Sequence, residues 1–473
     1  MSNRLTKRPC LSVEPLEDRL VPANLYFAGG NLTVANPNPL PAGMTTVNLT
    51  FTGMNQVQVM DGTSNLGTYA VSGNLSVVTG NFRDLVTVNL NGNTFTGNLN
   101  INTGNGNDTV NITGAVPPSS PIARNGARNA PNGAGNCILG WVNVQTGLGN
   151  DSVNINTTAG VPLIIGGLLN LGDTAGNDTI TTGNSGAVTR IAGNTYMVGF
   201  NTVNLVNGSN DLFGGNVFIL PGTDQTAVNV NEGLLGGSEV ATVGGSMYIF
   251  GGQASDDVFL RGLVLGGNLV VNLAAANGPD AAFGVPGNVF AVSSSANSVT
   301  TVGGDTYYLA TSGPNDVDMR SGVFDGSLII RMGDGNDSVL LSSFAGAPTL
   351  IQGNLTVTAG NGNDQIIDNS AVIDGNVTYT LGNGNDTVDF AAGGSVAGKI
   401  TYRSGNGNDS FALTGAQAYQ VDVAFGNGDD TFTLNNAAAT LSGRVDGGGH
   451  IAGNVFDPAA GTIAPTFILI NFP

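Results

Sequence analysis

The chain has 473 residues, a formal net charge of −19 and only 10% charged residues. With 33 acids against 14 Lys plus Arg, no basic stripe is available to neutralise nucleic-acid phosphates or an anionic membrane surface. At 41% hydrophobic the chain is too apolar for disorder, its two cysteines exclude a disulfide framework, and no apolar run is long enough to span a membrane.

Residues 1–24 form a separate element. They carry four of the basic residues, Arg4, Lys7, Arg8 and Arg19, but no apolar stretch of the kind an ordinary secretory signal needs. The stretch Val13-Glu14-Pro15-Leu16-Glu17-Asp18-Arg19-Leu20 resembles the LEPR-XLL-type motif that heads many large exported repeat proteins of planctomycete bacteria. The resemblance implies an export or sorting segment and an extracellular or cell-surface location, and says nothing about activity.

From residue 25 onward two motifs alternate. The first, Gly-Asn-apolar-x-apolar, reads as a turn followed by a strand. It begins at Gly30, Gly73 and Gly97, and again, with some variation, at Gly193, Gly215, Gly245, Gly267, Gly304, Gly326, Gly353, Gly375 and Gly398. A weaker copy, Gly53-Met54-Asn55-Gln56-Val57, fills the interval between Gly30 and Gly73. The second motif is Gly-Asn-Gly-Asn-Asp followed by a short apolar strand. Its Asp falls at Asp108, Asp151, Asp178, Asp337, Asp364, Asp386, Asp409 and Asp430, with degenerate copies at Asp211, Asp257 and Asp316.

A period near 22 residues is one coil of a parallel β-helix: strand, turn, strand, turn, third strand, return. Strands such as Leu355-Thr356-Val357-Thr358 alternate apolar and polar, so one face points inward. The spacing predicts an all-β fold, a single-stranded right-handed parallel β-helix over residues 25–457, with about 16 coils of 21–27 residues. Pro- and Gly-rich stretches near 115–136 and 274–288 read as loops extruded from it. The apolar residues 458–473 read as a cap over the last coil.

Of the 33 acids only Glu14, Glu17, Glu232 and Glu239 are Glu, which leaves 29 Asp, the residue of turns and of calcium sites. The segment Ala359-Gly360-Asn361-Gly362-Asn363-Asp364-Gln365-Ile366-Ile367 resembles the RTX calcium-binding nonapeptide, and similar turns surround Asp386, Asp409, Asp430 and Gly333-Asp334-Gly335-Asn336-Asp337. The resemblance implies calcium ions as ligand, with Asp108, Asp151, Asp178, Asp334, Asp337, Asp364, Asp386, Asp409, Asp429 and Asp430 as metal ligands. Carboxylates stacked about 4.8 Å apart repel by roughly 1 kcal/mol in water and about 3–4 kcal/mol at an effective dielectric near 20. A divalent ion between turns would remove that cost. The other reading is that Asn and Asp only cap turns and form hydrogen-bonded ladders.

Parallel β-helices also carry pectin-lyase-like chemistry, which needs grouped carboxylates and basic groups. Asp256-Asp257 with Arg261 is the best acidic group, and His450 is the single histidine. Neither makes a catalytic set, so no catalytic residue and no enzymatic activity are expected. The expected function is an exported structural or adhesive surface protein, an adhesin stabilised by calcium, with surface polysaccharide or other cell-surface proteins as partners. A carbohydrate-binding or carbohydrate-cleaving β-helix is the alternative, and a long row of exposed aromatic or acidic residues on one face would favour it.

Overall fold

The computed structural model describes residues 23–35, 45–115, 135–158, 161–183, 188–205, 211–222, 226–230, 240–252, 254–274, 287–293, 299–344, 346–391, 393–458 and 461–472. The export-like segment, except for its last two residues, and most of both extruded loops lie outside them.

The chain folds as a parallel β-solenoid, and the described residues contain no helix. From Thr94–Phe95 to Ser395–Val396 each coil contributes one strand to each of three sheets, and the later coils contribute to two. Sheet 1 holds strands such as Leu99–Asn102, Val142–Gln145 and Leu355–Thr358. Sheet 2 holds Thr109–Thr113, Ser152–Ile155 and Gln365–Asp368. Sheet 3 is narrower, with strands of two residues such as Thr94–Phe95 and Val372–Ile373. Equivalent strands pair in parallel, as Leu355 with Val377 in sheet 1 and Gln365 with Thr387 in sheet 2.

Alternation decides which side chains meet inside. In Leu355–Thr358 the leucine and valine are buried and the threonines half-buried. The buried set forms one continuous core from Ala23 to Val445. Rings stack through it from coil to coil, as Phe432 with Phe456 at 5.6 Å between centroids.

The turn between sheets 1 and 2 is the most regular part of the coil. Gly384 sits there at φ 140°, where a Cβ would lie 1.7 Å from the carbonyl oxygen of Gly362 on the coil before. Only glycine fits so close a backbone approach.

Three sequence expectations need correction. The solenoid has about 14 turns, not 16. Part of the difference is the Gly53 copy, which is not a coil. It is the tight connection between strands Thr45–Gly53 and Gln56–Asp61, which pair antiparallel, with Asn55 at φ 56° in the turn. A third antiparallel strand, Ser64–Ala70, completes this meander. The third correction is one of register. The turn position equivalent to Asp337 is held by Asn201, Asp256 and Asn315, not by Asp211, Asp257 and Asp316. At the far end, Thr462–Ile463 and Ile468–Ile470 pair with Thr440–Asp446, and Phe456 meets Phe467 and Phe472.

Candidate functional site

The repeated Asp residues occupy one corner of the coil, just before the sheet 2 strand. Strand register places fifteen residues in a single column: Asp84, Asp108, Asp151, Asp178, Asn201, Thr226, Asp256, Asn288, Asn315, Asp337, Asp364, Asp386, Asp409, Asp430 and Asn454. Parity turns them inward: Asp364 lies two residues before the core residue Ile366, so both point the same way. Asp364, Asp386, Asp409 and Asp430 are all at most 2% exposed.

Burial is accompanied by a regular bond. At most positions the backbone N–H of a column residue donates to Oδ1 of the residue one coil further on, the exceptions being Asn201 and Asn288, whose N–H groups donate to the Asp178 and Pro314 carbonyls. Asp337 donates to Asp364 at 3.0 Å, Asp364 to Asp386 at 3.0 Å, Asp386 to Asp409 at 2.9 Å and Asp409 to Asp430 at 2.9 Å. In the N-terminal run Asp84 donates to Asp108 at 2.7 Å, Asp108 to Asp151 at 2.6 Å and Asp151 to Asp178 at 2.7 Å. Asn454 closes the column by accepting from Asp430 at 2.8 Å.

The second oxygen of these carboxyls is the anomaly. Oδ2 of Asp108, Asp151, Asp178, Asp256, Asp337, Asp364, Asp386, Asp409 and Asp430 is buried and meets no hydrogen-bond donor among the described residues. Where Asn stands in the column, the second atom donates instead. Asn315 Nδ2 reaches Gly313 O at 2.8 Å, and Asn454 Nδ2 reaches Gly447 O at 2.6 Å. The Asp corners therefore resemble places that call for a proton or a cation. Burial accordingly pushes the carboxyls of Asp108, Asp364 and Asp386 up to about 7, and those of Asp337 and Asp430 up to about 6. Asp409 is also raised by burial.

The two remaining sequence-derived positions lie apart from this column. Asp334 is exposed and heads an outer row that runs through Asn361, Asn383, Asn406 and Asn427. Asp429 is half-exposed, and ends a second outer row through Asn336, Asn363, Asn385 and Asn408. Hydrogen bonds hold both below the usual carboxylate range: from the Asn361 backbone for Asp334, and from the Gly453, Ala452 and Ile451 backbones for Asp429. In these outer rows the later coil donates to the earlier one, opposite to the inner column. The corner is thus pinned in both directions along the axis.

Calcium takes about six to eight oxygens. A single step of the C-terminal run supplies two unpartnered carboxylate oxygens, which is a thin set. The N-terminal run is richer, because Asp173 brings a third carboxylate beside Asp151 and Asp178. Asp173 belongs to no turn motif and lies at the end of a sheet 1 strand, so the repeat pattern does not mark it. Its position in a column of threonines, after Thr79, Thr103 and Thr146, is the signal that exposes it.

The acidic pair considered for catalysis separates. Asp256 is in the inner column, with Oδ1 accepting from the Thr226 N–H at 2.8 Å, whereas Asp257 starts the next strand with opposite parity. His450 is exposed, in the turn before Asn454. On the outer face of sheet 1, Tyr196, Phe218 and Tyr248 stack with centroids 4.9 Å apart and planes within 5°. Val198 and Leu220 lie beside them, 39% and 38% exposed.

Comparison of the chain with protein-family models, curated proteins and solved structures finds no match.

Proposed function

We propose that this protein is a non-enzymatic structural or adhesive rod, located outside the cell or on its surface, with calcium stabilising its Asp corners. The observation that carries this reading is the inner column. The repeated carboxylates are tied to backbone N–H groups and turned into the core, while a glycosidase or lyase needs carboxylates facing a substrate cleft. The outer rows of Asn suit a rod that presents a uniform polar surface. Export rests on the basic leader and its LEPR-XLL-type motif. Calcium rests on the unpartnered Oδ2 atoms and on the RTX-like turns.

The test combines location with chemistry. Protease treatment of intact cells should degrade the protein while a cytoplasmic marker survives, and the purified chain should release no new ends from uronate or neutral polysaccharides. A chain protected in intact cells, or one that cleaves a polysaccharide, overturns the reading.

A second reading, carbohydrate binding, is favoured by the row Tyr196, Phe218 and Tyr248, which Val270 and Tyr307 continue in register. Aromatic edges beside apolar side chains offer sugars a partly apolar strip. Pull-down on insoluble polysaccharides should then weaken on Phe218→Ala and Tyr248→Ala. Equal retention of wild type and both variants removes this reading.

A further inference from the structure

We infer that Asp151, Asp173 and Asp178 form one discrete calcium site, distinct from the one-acid-per-coil corners elsewhere in the column. The inference rests on the calcium reading above and narrows it to a single place.

Asp173 breaks a pattern. At the corresponding position in the preceding coils stand Thr79, Thr103 and Thr146, each of whose hydroxyls points to the next coil. Thr79 Oγ1 donates to Thr103 O at 3.0 Å and Thr103 Oγ1 to Thr146 O at 3.1 Å. Thr146 Oγ1 instead donates to Asp173 Oδ1 at 2.7 Å. The next coil answers with Gly199, at φ 92°, which has no side chain to offer. A carboxylate therefore ends the run of hydroxyls, and its Oδ2 is buried without a donor.

Two further carboxylates converge on it. Asp151 and Asp178 are 2% and 0% exposed. Oδ1 of each is occupied by a backbone N–H, from Asp108 at 2.6 Å and from Asp151 at 2.7 Å. That leaves Oδ2 of each without a hydrogen-bond partner. One carboxylate oxygen from each of the three residues lies within 4.8 Å of the others. Oxygens so placed share a centre no farther than about 2.8 Å from each, a few tenths of an ångström beyond a calcium–oxygen bond of about 2.3–2.6 Å. Magnesium, at about 2.0–2.1 Å in a strict octahedron, would need a larger contraction.

The groups that interact with these three carboxyls are one another, the Thr146 hydroxyl and backbone N–H groups, with no Lys, Arg or His among the described residues. Three buried carboxylates without a cation cannot all ionise cheaply. An entry route exists, because Asp173 is only half-buried and Thr174 and Ala175 beside it are exposed. Water on that side would complete the calcium shell.

The experiment is calorimetric titration of the full chain with calcium chloride near pH 7.5, for wild type, Asp173→Asn, Asp173→Thr and Asp386→Asn. Asp173→Thr copies Thr146 from the preceding coil, so its backbone fit is already present in the fold. Circular dichroism and the melting curve confirm folding of each variant. Wild type should show a site with Kd of about 10⁻⁴–10⁻³ M or tighter. Both Asp173 variants should lose it by at least tenfold, and Asp386→Asn should keep it. If both folded Asp173 variants bind as wild type does while Asp386→Asn loses the site, this inference fails and calcium at the other corners stands. If wild type binds no calcium at 10 mM, this inference and the broader calcium reading both fail.

Discussion

The N–H of Asp386 donates to Oδ1 of Asp409 at 2.9 Å, one coil further along, while Oδ2 of both residues is buried with no donor. Half of each carboxyl is thus committed to holding coils together and half is left to whatever the solution supplies. The consequences for stability follow from that division.

Acidity is the first. Burial lifts the Asp364 and Asp386 carboxyls from 3.8 to about 7. Between about pH 4 and 7 the folded chain therefore holds protons that the unfolded chain has released. The stabilisation is complete below about pH 4, declines as pH rises through 7, and is gone above it. In buffer containing a chelator, the melting temperature should fall from pH 5 to pH 8, and Asp386→Asn should shrink that fall. A melting temperature that climbs over this range contradicts the assignment.

Side-chain replacement at the same corner separates the two oxygens. Asp386 Oδ1 accepts the Asp364 N–H at 3.0 Å. Asn keeps this acceptor, and Asn already occupies the column at Asn201, Asn288, Asn315 and Asn454. Asp386→Asn should lie within about 1 kcal/mol of wild type in urea unfolding at pH 7. Asp386→Ala strands a buried N–H and should cost about 1–3 kcal/mol. Equal losses for the two variants would mean that the ladder bond contributes nothing.

Calcium should act through the other oxygen. For a site with Kd near 1 mM, calcium at about 10 mM adds roughly 1.4 kcal/mol, so the melting temperature should rise, and a chelator should reverse the rise. Asp386→Asn and Asp409→Asn should each blunt the response if their corners hold ions. An unchanged melting curve for wild type at about 10 mM calcium would leave the column as a hydrogen-bonded ladder.

Glycine tests the close approach of coils. Gly384→Ala places a methyl 1.7 Å from the Gly362 carbonyl oxygen at φ 140°, and should cost more than about 3 kcal/mol. Gly62→Ala, also at positive φ but with nothing within 4 Å, should cost only about 1 kcal/mol. Chemical denaturation of the pair measures the difference. Similar losses would show that backbone conformation, not coil spacing, demands the glycine.

Much of this architecture is legible in the residues. The recurrence of Asp364, Asp386 and Asp409 at intervals of 22 and 23 residues reveals a coil, because a solenoid must repeat its corner each time it closes. Which way the corner residue faces is legible too, through the shared parity of Asp364 and Ile366. Motif spelling alone conceals it and suggests a solvent-facing edge. The register at Asp256 and Asn315 fails by one residue because two polar residues adjoin and only the pairing of whole strands chooses between them. Gly53 misleads because a hairpin turn and a coil corner both need glycine and asparagine at positive φ. Asp173 escapes because its partners are 22 and 5 residues away, on a corner that only the wrapping of the chain brings together.

From Asp337 to Asp430 each corner Oδ1 serves the coil before it, so the coil is a unit of copying as well as of packing. Excising residues 364–385, one complete circuit, would set Asp386 above Asp337 with every donor facing an equivalent acceptor. A gene that gains or loses such a block changes the length of its product in steps of about 4.8 Å without redesigning any interface. Length becomes a heritable variable that changes one block at a time, each block bringing its own packing and interface energy.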